Sequence, residues 1–125
     1  MHTPLQQAIT EAFQHAEQAR QVGHSGAAFV WLERAHILTQ RQPLLHAKSH
    51  WLMLTLGWQQ RDYREVAGQL PRIVAALLFS RIWVPVGNTG RARVSAFRPM
   101  PVAEELRTLL RHEKRASLHR NEGGL

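Results

Sequence analysis

Apolar residues recur at three- and four-residue intervals along the first half of the chain, as in helices that bury one face. The first stretch predicts a helix over about residues 4–22. Thr3 is its expected N-cap, and Pro4 occupies the first helical position, where the missing N–H costs nothing. Residues 23–26, Gly-His-Ser-Gly, end this helix. Its apolar face comprises Leu5, Ile9, Ala12, Phe13, Ala16 and Ala19.

The next two stretches each carry two stripes of apolar or weakly polar positions, which is typical of helices that contact neighbours on two sides. The first predicts a helix over residues 27–41 with Ser25 as its cap, and the second a helix over residues 44–59. Gln42 and Pro43 separate them, since proline does not continue a helix. We expect the core to include all four tryptophans, Trp31, Trp51, Trp58 and Trp83.

A fourth helix is predicted over about residues 63–83, with Asp62 as its N-cap. Gly68 and Pro71 fall inside this stretch. Because an internal proline removes a backbone hydrogen bond and clashes with the preceding turn, we expect a kink or a split near Gly68.

Glycine and proline dominate the chain after the fourth helix. Residues 84–90, Val-Pro-Val-Gly-Asn-Thr-Gly, predict a loop, and residues 91–97 predict an extended segment. Pro99 and Pro101 then precede a last helix over about residues 102–115. This composition favours an ordered loop that packs across the helical body.

These elements predict an all-α fold, with one domain over residues 1–115 and a frayed basic tail over residues 116–125. Short connections favour two antiparallel helical hairpins, in a tetratricopeptide-like or four-helix arrangement, plus the irregular Gly/Pro loop and the C-terminal helix. Residues 23–35 align loosely with residues 60–72 at an offset of 37, near the tetratricopeptide period. Two repeats are few for a solenoid, so the last helix would cap the pair or the protein would dimerise.

Composition narrows the classes of function. The 125 residues include 44% hydrophobic positions and no cysteine, which favours a folded domain and excludes cysteine-ligated zinc and a cysteine nucleophile. Asp62 is the sole aspartate, so calcium loops and two-metal carboxylate sites are not expected. The N-terminus has no signal-peptide pattern, and the longest apolar run, residues 73–79, is far short of the roughly 18 residues that span a bilayer. We therefore expect a cytoplasmic protein.

Histidine is abundant, with eight residues, and five positions form a candidate metal site. Glu33 and His36 are three apart on the second helix, and His46 and His50 are four apart on the third, so each pair shares a helix face. In an antiparallel hairpin the two pairs lie level with each other, and His15 lies level with Glu33. Imidazole and carboxylate ligands suit Zn²⁺, Fe²⁺, Ni²⁺ or Cu²⁺. The alternatives are a buried polar network that fixes helix register without metal, and catalysis by these residues without metal.

The net charge of +7 is concentrated toward the C-terminus, where residues 81–125 carry nine Lys or Arg against four Asp or Glu. Residues 87–90, Gly-Asn-Thr-Gly, either form an anion-binding nest or a tight turn. A basic segment of this kind also fits nucleic acid, although neither a recognition helix nor an aromatic stacking platform is evident. The candidate contacts to an anion or nucleic acid are Arg91, Arg93, Arg98, Arg107 and Arg111.

A series of short motifs resembles a known family. The series is LERAHIL at residues 32–38, His46 followed by HWLML at residues 50–54, Gly68-Gln69, VPVGNTG at residues 84–90, and Pro99-Met100-Pro101. In this order the motifs resemble a bacterial family of small helical proteins, domain of unknown function 3703, over roughly residues 5–110. The resemblance implies a helical fold and no established activity.

The sequence contains no catalytic signature, so the interpretation leans toward a protein that is not an enzyme. The leading hypothesis is a small accessory or adaptor protein that uses the groove between paired helices to bind a protein partner or a second copy of itself. The alternative is a transition-metal-binding protein that uses the histidine–glutamate cluster. A third hypothesis is a basic nucleic-acid-binding protein.

Overall fold

The computed structural model describes residues 3–122, apart from the side chains of residues 116, 117 and 119–122. It contains five α-helices and no strand within that range, so the predicted all-α class is confirmed. No helix in the range is long and apolar enough to cross a membrane. The helices are α1 (Pro4–Gln21), α2 (Ser25–Thr39), α3 (Pro43–Gln59), α4 (Tyr63–Phe79) and α5 (Glu104–Glu122).

Two helix starts show how local chemistry sets the boundaries. At α1 the Thr3 hydroxyl accepts a hydrogen bond from the Gln6 backbone N–H (3.1 Å), and the Gln6 side chain accepts one from the Thr3 N–H (2.9 Å). This reciprocal capping box confirms the predicted cap. The prediction for α2 is wrong, because Ser25 lies inside the helix and its hydroxyl accepts a hydrogen bond from the Gln60 side chain instead.

Helix α4 begins after Asp62, whose carboxylate accepts a hydrogen bond from the Glu65 N–H as predicted. Of the kink or split expected near Gly68, the split is wrong, since the helix is continuous and contains Pro71, and the kink stays a prediction. Gly68 serves packing instead: a Cβ there would lie 2.4 Å from the Cβ of Ala92 in the following loop. The helix ends at Phe79 rather than near residue 83, because residues 80–83 form a turn.

Residues 80–103, here called the connecting loop, join α4 to α5. The predicted extended segment at residues 91–97 is wrong, because this stretch consists of turns. The Asn88 amide organises them by donating hydrogen bonds to the carbonyl oxygens of Ser95 (2.7 Å) and Arg98 (2.8 Å). Gly87 has φ +82°, and a Cβ there would lie 1.9 Å from the Met100 oxygen, so this turn requires glycine. The loop packs on the helices, as its composition predicts.

Helix α5 runs to Glu122, further than the predicted end near residue 115. Fraying of the tail stays a prediction, and residues 123–125 lie outside the described range. The helix packs on α1 and α2 through a cluster of buried side chains. The buried members of this cluster are Leu5, Ile9, Leu38 and Leu106.

A second apolar cluster joins α1, α2 and α3, and α3 also packs closely on α4. Phe29, Leu32, Met53 and Leu56 are its largest buried side chains. The expectation that all four tryptophans belong to the core is wrong. Trp31 is partly buried, but about half or more of each of the other three is exposed, namely Trp51, Trp58 and Trp83.

The contact between α5 and the rest of the domain can be tested at Leu106, which is 5% exposed. Leu106→Ala should lower the free energy of unfolding by about 2–4 kcal/mol, because it removes buried methyl groups from the α1–α2–α5 cluster. Leu118→Ala, at a side chain of the same helix that is 53% exposed, should change it by less than about 0.5 kcal/mol. Urea unfolding monitored by circular dichroism measures both, and equal effects would contradict the packing of α5.

Candidate metal centre

Three buried histidines from two adjacent helices meet in the interior. His36 comes from α2, and His46 and His50 come from α3, where their spacing of four places them on one face. Their exposed fractions are 2%, 6% and 3%. The ring centroids lie 4.6–4.9 Å apart, so the three imidazoles form one compact group.

The Nε2 atoms of the three rings point at one another. His46 Nε2 lies 3.0 Å from His36 Nε2 and 3.1 Å from His50 Nε2. Within the described residues this trio is the group of histidine and acidic side chains close enough to hold one metal ion.

On the opposite side of each ring, the Nδ1 atom forms a hydrogen bond. His36 Nδ1 lies 2.7 Å from the Asn88 backbone oxygen, and His50 Nδ1 lies 2.6 Å from Gln69 Oε1. His46 Nδ1 lies 2.8 Å from Ser80 Oγ. All three rings are therefore held in orientation by α4 or by the connecting loop.

These partners fix where each neutral ring carries its proton. A backbone carbonyl only accepts, so His36 Nδ1 must donate to Asn88. The Gln69 amide nitrogen donates to the Gly90 oxygen (2.8 Å), which leaves Oε1 to accept from His50. The Ser80 hydroxyl donates to the Ala76 carbonyl, so its oxygen accepts from His46. Each ring thus carries its proton on Nδ1, and all three Nε2 atoms present lone pairs.

Burial keeps the three rings neutral. Desolvation is the main cause that lowers the pKa of each: to about 4 for His46, to about 3 for His50, and well below the ordinary value for His36. For His36 and His50, charge on neighbouring histidines and on Arg72 lowers the pKa further.

A second layer of polar groups supports the histidines. Gln69, which is fully buried, also donates to Glu65 Oε1 (3.3 Å). The Glu65 carboxylate in turn accepts hydrogen bonds from Arg91 Nε (2.5 Å) and the Ala92 N–H (3.0 Å). Arg91 lies over the Phe29 ring at 3.7 Å. This chain of contacts ties α4 to the connecting loop.

The connecting loop is fixed where it contacts His36. The Gln40 side chain donates to the Pro85 oxygen and accepts from the Gly87 N–H, both at 3.0 Å. Gly90 has φ +83°, and a Cβ there would lie 2.7–2.9 Å from three atoms of the His36 ring. A side chain at this position would therefore collide with a histidine of the group.

A cavity of about 480 Å³ lies over the three histidines, which form part of its lining. Residues of α4 and the connecting loop supply largely apolar walls, among them Phe79, Trp83 and Phe97. These three side chains are 54%, 52% and 77% exposed, so the cavity reaches the surface.

The structure brings together three of the five predicted metal ligands. Glu33 is not among them. It lies one turn before His36, on a stretch of α2 where Arg91 and Glu65 influence its carboxyl, and burial raises its pKa. His15 is also outside the group, because its ring stacks on that of Trp31, with the two ring centroids 4.4 Å apart. Among the residues that the structure describes, the site therefore consists of neutral ligands alone.

The predicted anion-contact residues divide into two groups. Arg91 forms an ion pair with the buried Glu65 carboxylate, whereas the Arg93 side chain is 56% exposed, with its Nη2 3.6 Å from Asp62 Oδ2. Arg98, Arg107 and Arg111 are exposed. Within the 87–90 turn the Gly87 and Gly90 N–H groups bond to Gln40 and Asn88 side chains, as expected of a structural turn rather than an open nest.

The sequence interpretation missed the supporting residues Gln69, Ser80, Asn88, Glu65 and Arg72. Glu65, Gln69 and Ser80 carry a signal in the sequence, because these polar residues recur at helical spacing on one side of α4 and its following turn. No such signal places the Asn88 carbonyl beside His36, since the 52-residue separation is bridged only by tertiary structure.

Acid should destabilise the metal-free protein through these histidines. The folded rings stay neutral to about pH 4 at His46, whereas histidines of the unfolded chain take up protons below about pH 6.5. In this range the unfolded state thus binds more protons than the folded state. The free energy of unfolding should therefore decrease as the pH is lowered from about 6.5 to about 4. The slope should reach about 1.4 kcal/mol per pH unit for each buried histidine.

Urea unfolding in chelator at several pH values measures this slope. His46→Gln should give a shallower slope than the wild type, while His24→Gln, at the exposed cap of α2, should leave it unchanged. Equal slopes in all three proteins would contradict neutral burial of His46.

Comparison with known families identifies one family that matches this chain. A family model described as "Protein of unknown function (DUF3703)" matches residues 3–110. Neither the curated proteins nor the solved structures contain a significant match. The matched region includes all three histidines, their Nδ1 partners and the whole connecting loop. Because the match covers most of the sequence, the chain belongs to the DUF3703 family of proteins of unknown function.

Proposed function

We propose that this protein binds one divalent first-row transition ion through His36, His46 and His50. The observation that carries the proposal is the convergence of three Nε2 lone pairs, 3.0 and 3.1 Å apart along two edges. Imidazole nitrogens of this kind suit Zn²⁺, Cu²⁺, Ni²⁺ and Fe²⁺.

The metal-free alternative is a polar network in which the rings bond to each other. It requires a proton between Nε2 atoms, because each Nδ1 proton is already donated to Asn88, Ser80 or Gln69. Such a proton would make one ring cationic, and burial lowers the pKa of all three rings. A metal ion instead satisfies the three lone pairs at once.

The distances and the outer contacts support a metal. For zinc–nitrogen bonds of about 2.0–2.1 Å in tetrahedral geometry, ligand nitrogens lie about 3.3 Å apart, close to the two separations observed. Metal-bound histidines typically donate the other ring N–H to a carbonyl, a carboxylate or a water, which fixes tautomer and orientation. His36 and His50 donate to carbonyl oxygens, and His46 donates to a hydroxyl.

Three protein ligands leave a coordination position free in a tetrahedral site, which is the arrangement of catalytic rather than structural zinc. The cavity beside the histidines gives that position access to solvent and small molecules. A metal held in this way lowers the pKa of bound water and acts as a Lewis acid. The proposal therefore extends to a reactive or ligand-binding metal, and it revises the leaning against an enzyme.

Metal content tests the proposal directly. Protein purified without a histidine tag, stripped with chelator and reloaded with Zn²⁺ or Co²⁺, should retain about one equivalent by elemental analysis. His46→Ala and His50→Ala should each lose it, because two ligands hold an ion far more weakly than three. With Co²⁺, intense visible absorption typical of tetrahedral coordination should accompany binding.

His15→Ala is the matched control, since it removes a histidine that lies outside the group. It should keep the full equivalent. Circular dichroism of each variant shows whether helicity is retained, and His46→Gln replaces the alanine variant if that protein unfolds. Equal metal content in the control and in well-folded His46 and His50 variants would refute the site, as would no retention by the wild type.

A second candidate function, protein interaction, is supported by the outer face of α4. Leu70, Val74 and Leu78 are each more than half exposed, and residues 73–80 contain no charged side chain. Large exposed apolar patches mark interaction sites. A second copy of this chain is the partner that the face fits, because an uncharged surface lets two molecules of net charge +7 meet without like charges opposed. The tetratricopeptide-like arrangement of the hairpins stays a prediction.

Sedimentation equilibrium tests this second candidate. The wild type should form a concentration-dependent dimer, and Leu78→Lys should shift it to monomer by placing like charges in the interface. Leu44→Lys, at the 79% exposed start of α3, should leave the dimer intact. A wild type that stays monomeric up to about 100 µM would exclude a stable dimer.

A further inference from the structure

The cavity over the histidines is much larger than a metal-bound water requires. Its volume is about 480 Å³, whereas a water molecule occupies about 30 Å³ of liquid. Cavities of about 300–1,000 Å³ with mostly apolar walls are typical of small-molecule sites. The walls here include Phe79, Trp83, Phe97 and Pro71, which fit a hydrocarbon body rather than a hydrated ion.

One cationic side chain, Arg72, also lines this cavity. Two backbone carbonyls hold its guanidinium: Nη1 donates to the Gly68 oxygen (2.7 Å) and Nη2 to the Val94 oxygen (2.6 Å). Its buried Nε has no hydrogen-bond partner among the described residues. The guanidinium is therefore fixed in place and retains an unused donor.

The charge of Arg72 is not neutralised by an ion pair among the described residues. The nearby Glu65 carboxylate bonds instead to Arg91 and to the Ala92 N–H. Burial accordingly lowers the pKa of Arg72, with Glu65 opposing this effect. A partly buried cation without an ion-pair partner at a cavity wall favours an anionic occupant.

The proposed metal would add further positive charge to the cavity that Arg72 lines. Three neutral histidines do not offset a divalent ion, and the carboxylate expected from Glu33 is absent from the site. Arg72 is also close enough to disfavour positive charge on His36 and His50. A neutral ligand would leave both cations uncompensated, whereas a carboxylate would offset part of the charge of each.

We propose that the cavity binds an amphiphilic monocarboxylate, with its head at the free coordination position of the metal near Arg72 and its hydrocarbon body against Phe79, Trp83 and Phe97. This inference rests on the proposed metal function. It combines two observed features, a fixed guanidinium without an ion-pair partner and a largely apolar cavity of ligand size, with the coordination position that the proposed metal would leave open.

Octanoate is the test ligand, with octanol and acetate as probes that lack the head or the body. Isothermal titration of the full-length zinc-loaded protein should show octanoate binding at least about 10-fold tighter than either probe. In the cobalt-loaded protein, octanoate should shift the visible bands and octanol should not, because only the carboxylate enters the coordination sphere. Equal affinity for octanol, or an unchanged cobalt spectrum, would overturn the proposal.

Arg72→Met removes the charge and keeps the length of the side chain, and it should weaken octanoate binding by about 10-fold while octanol binding changes little. Arg64→Met, at an exposed residue of the same helix outside the cavity lining, should leave both unchanged. Equal octanoate affinity in the two variants would remove Arg72 from the site.

Metal content is measured on every sample, which separates the two proposals. Full metal content with no octanoate response overturns the ligand proposal alone. Failure of the wild type to retain metal overturns the metal site and the ligand proposal together. Octanoate binding that is equally tight in the stripped and the metal-loaded protein overturns the placement of the carboxylate on the metal.

Discussion

The interior of this protein is organised around one electrostatic constraint, which is the burial of three converging imidazole Nε2 atoms, with that of His46 held 3.0 and 3.1 Å from the other two. Neutral rings do not attract each other in this orientation, so surrounding groups must impose it. Asn88, Ser80 and Gln69 do so by accepting the three Nδ1 protons. Each of these acceptors is in turn fixed, by the turn at residues 87–90, by the Ala76 carbonyl or by Glu65 and Gly90.

The length and irregularity of the connecting loop follow from this constraint. A loop of residues 80–103 without secondary structure is unusual in a small domain and is typically functional. Here the polar groups of the loop form fixed hydrogen bonds. The Gln40 side chain hydrogen-bonds to the loop at two points, and the Asn88 side chain hydrogen-bonds to the carbonyl oxygens of Ser95 and Arg98. Gly90 permits the close approach to His36 that any larger residue would prevent. The loop thus packs against the histidines that α2 and α3 supply and holds two of their rings in place.

Local patterns in the sequence located the five helices and part of the site, although α4 ends earlier and α5 later than predicted. The spacing on α2 and α3 predicts that His36, His46 and His50 lie together, because helical periodicity and a short turn determine which faces they occupy. The same spacing wrongly includes Glu33, because its carboxyl lies outside the histidine group, where Arg91 and Glu65 influence it. Gly68 was misinterpreted because its reason is the contact with Ala92, which no local pattern encodes. The acceptors of the Nδ1 protons depend on tertiary structure in the same way.

No carboxylate in the described part of the chain joins the histidine group, and this links the proposed metal to the rest of the cavity. In a site with neutral ligands alone, the charge of the proposed metal is offset only by what enters from outside, and Arg72 increases that demand. Without metal, the group imposes desolvation and opposed lone pairs on the fold, a cost that the apolar clusters around Leu38 and Met53 must offset. Metal binding would recover that cost, since an ion that binds only the folded state stabilises it. Such a local conflict at one buried point is expected at a functional site rather than in a core selected for stability alone.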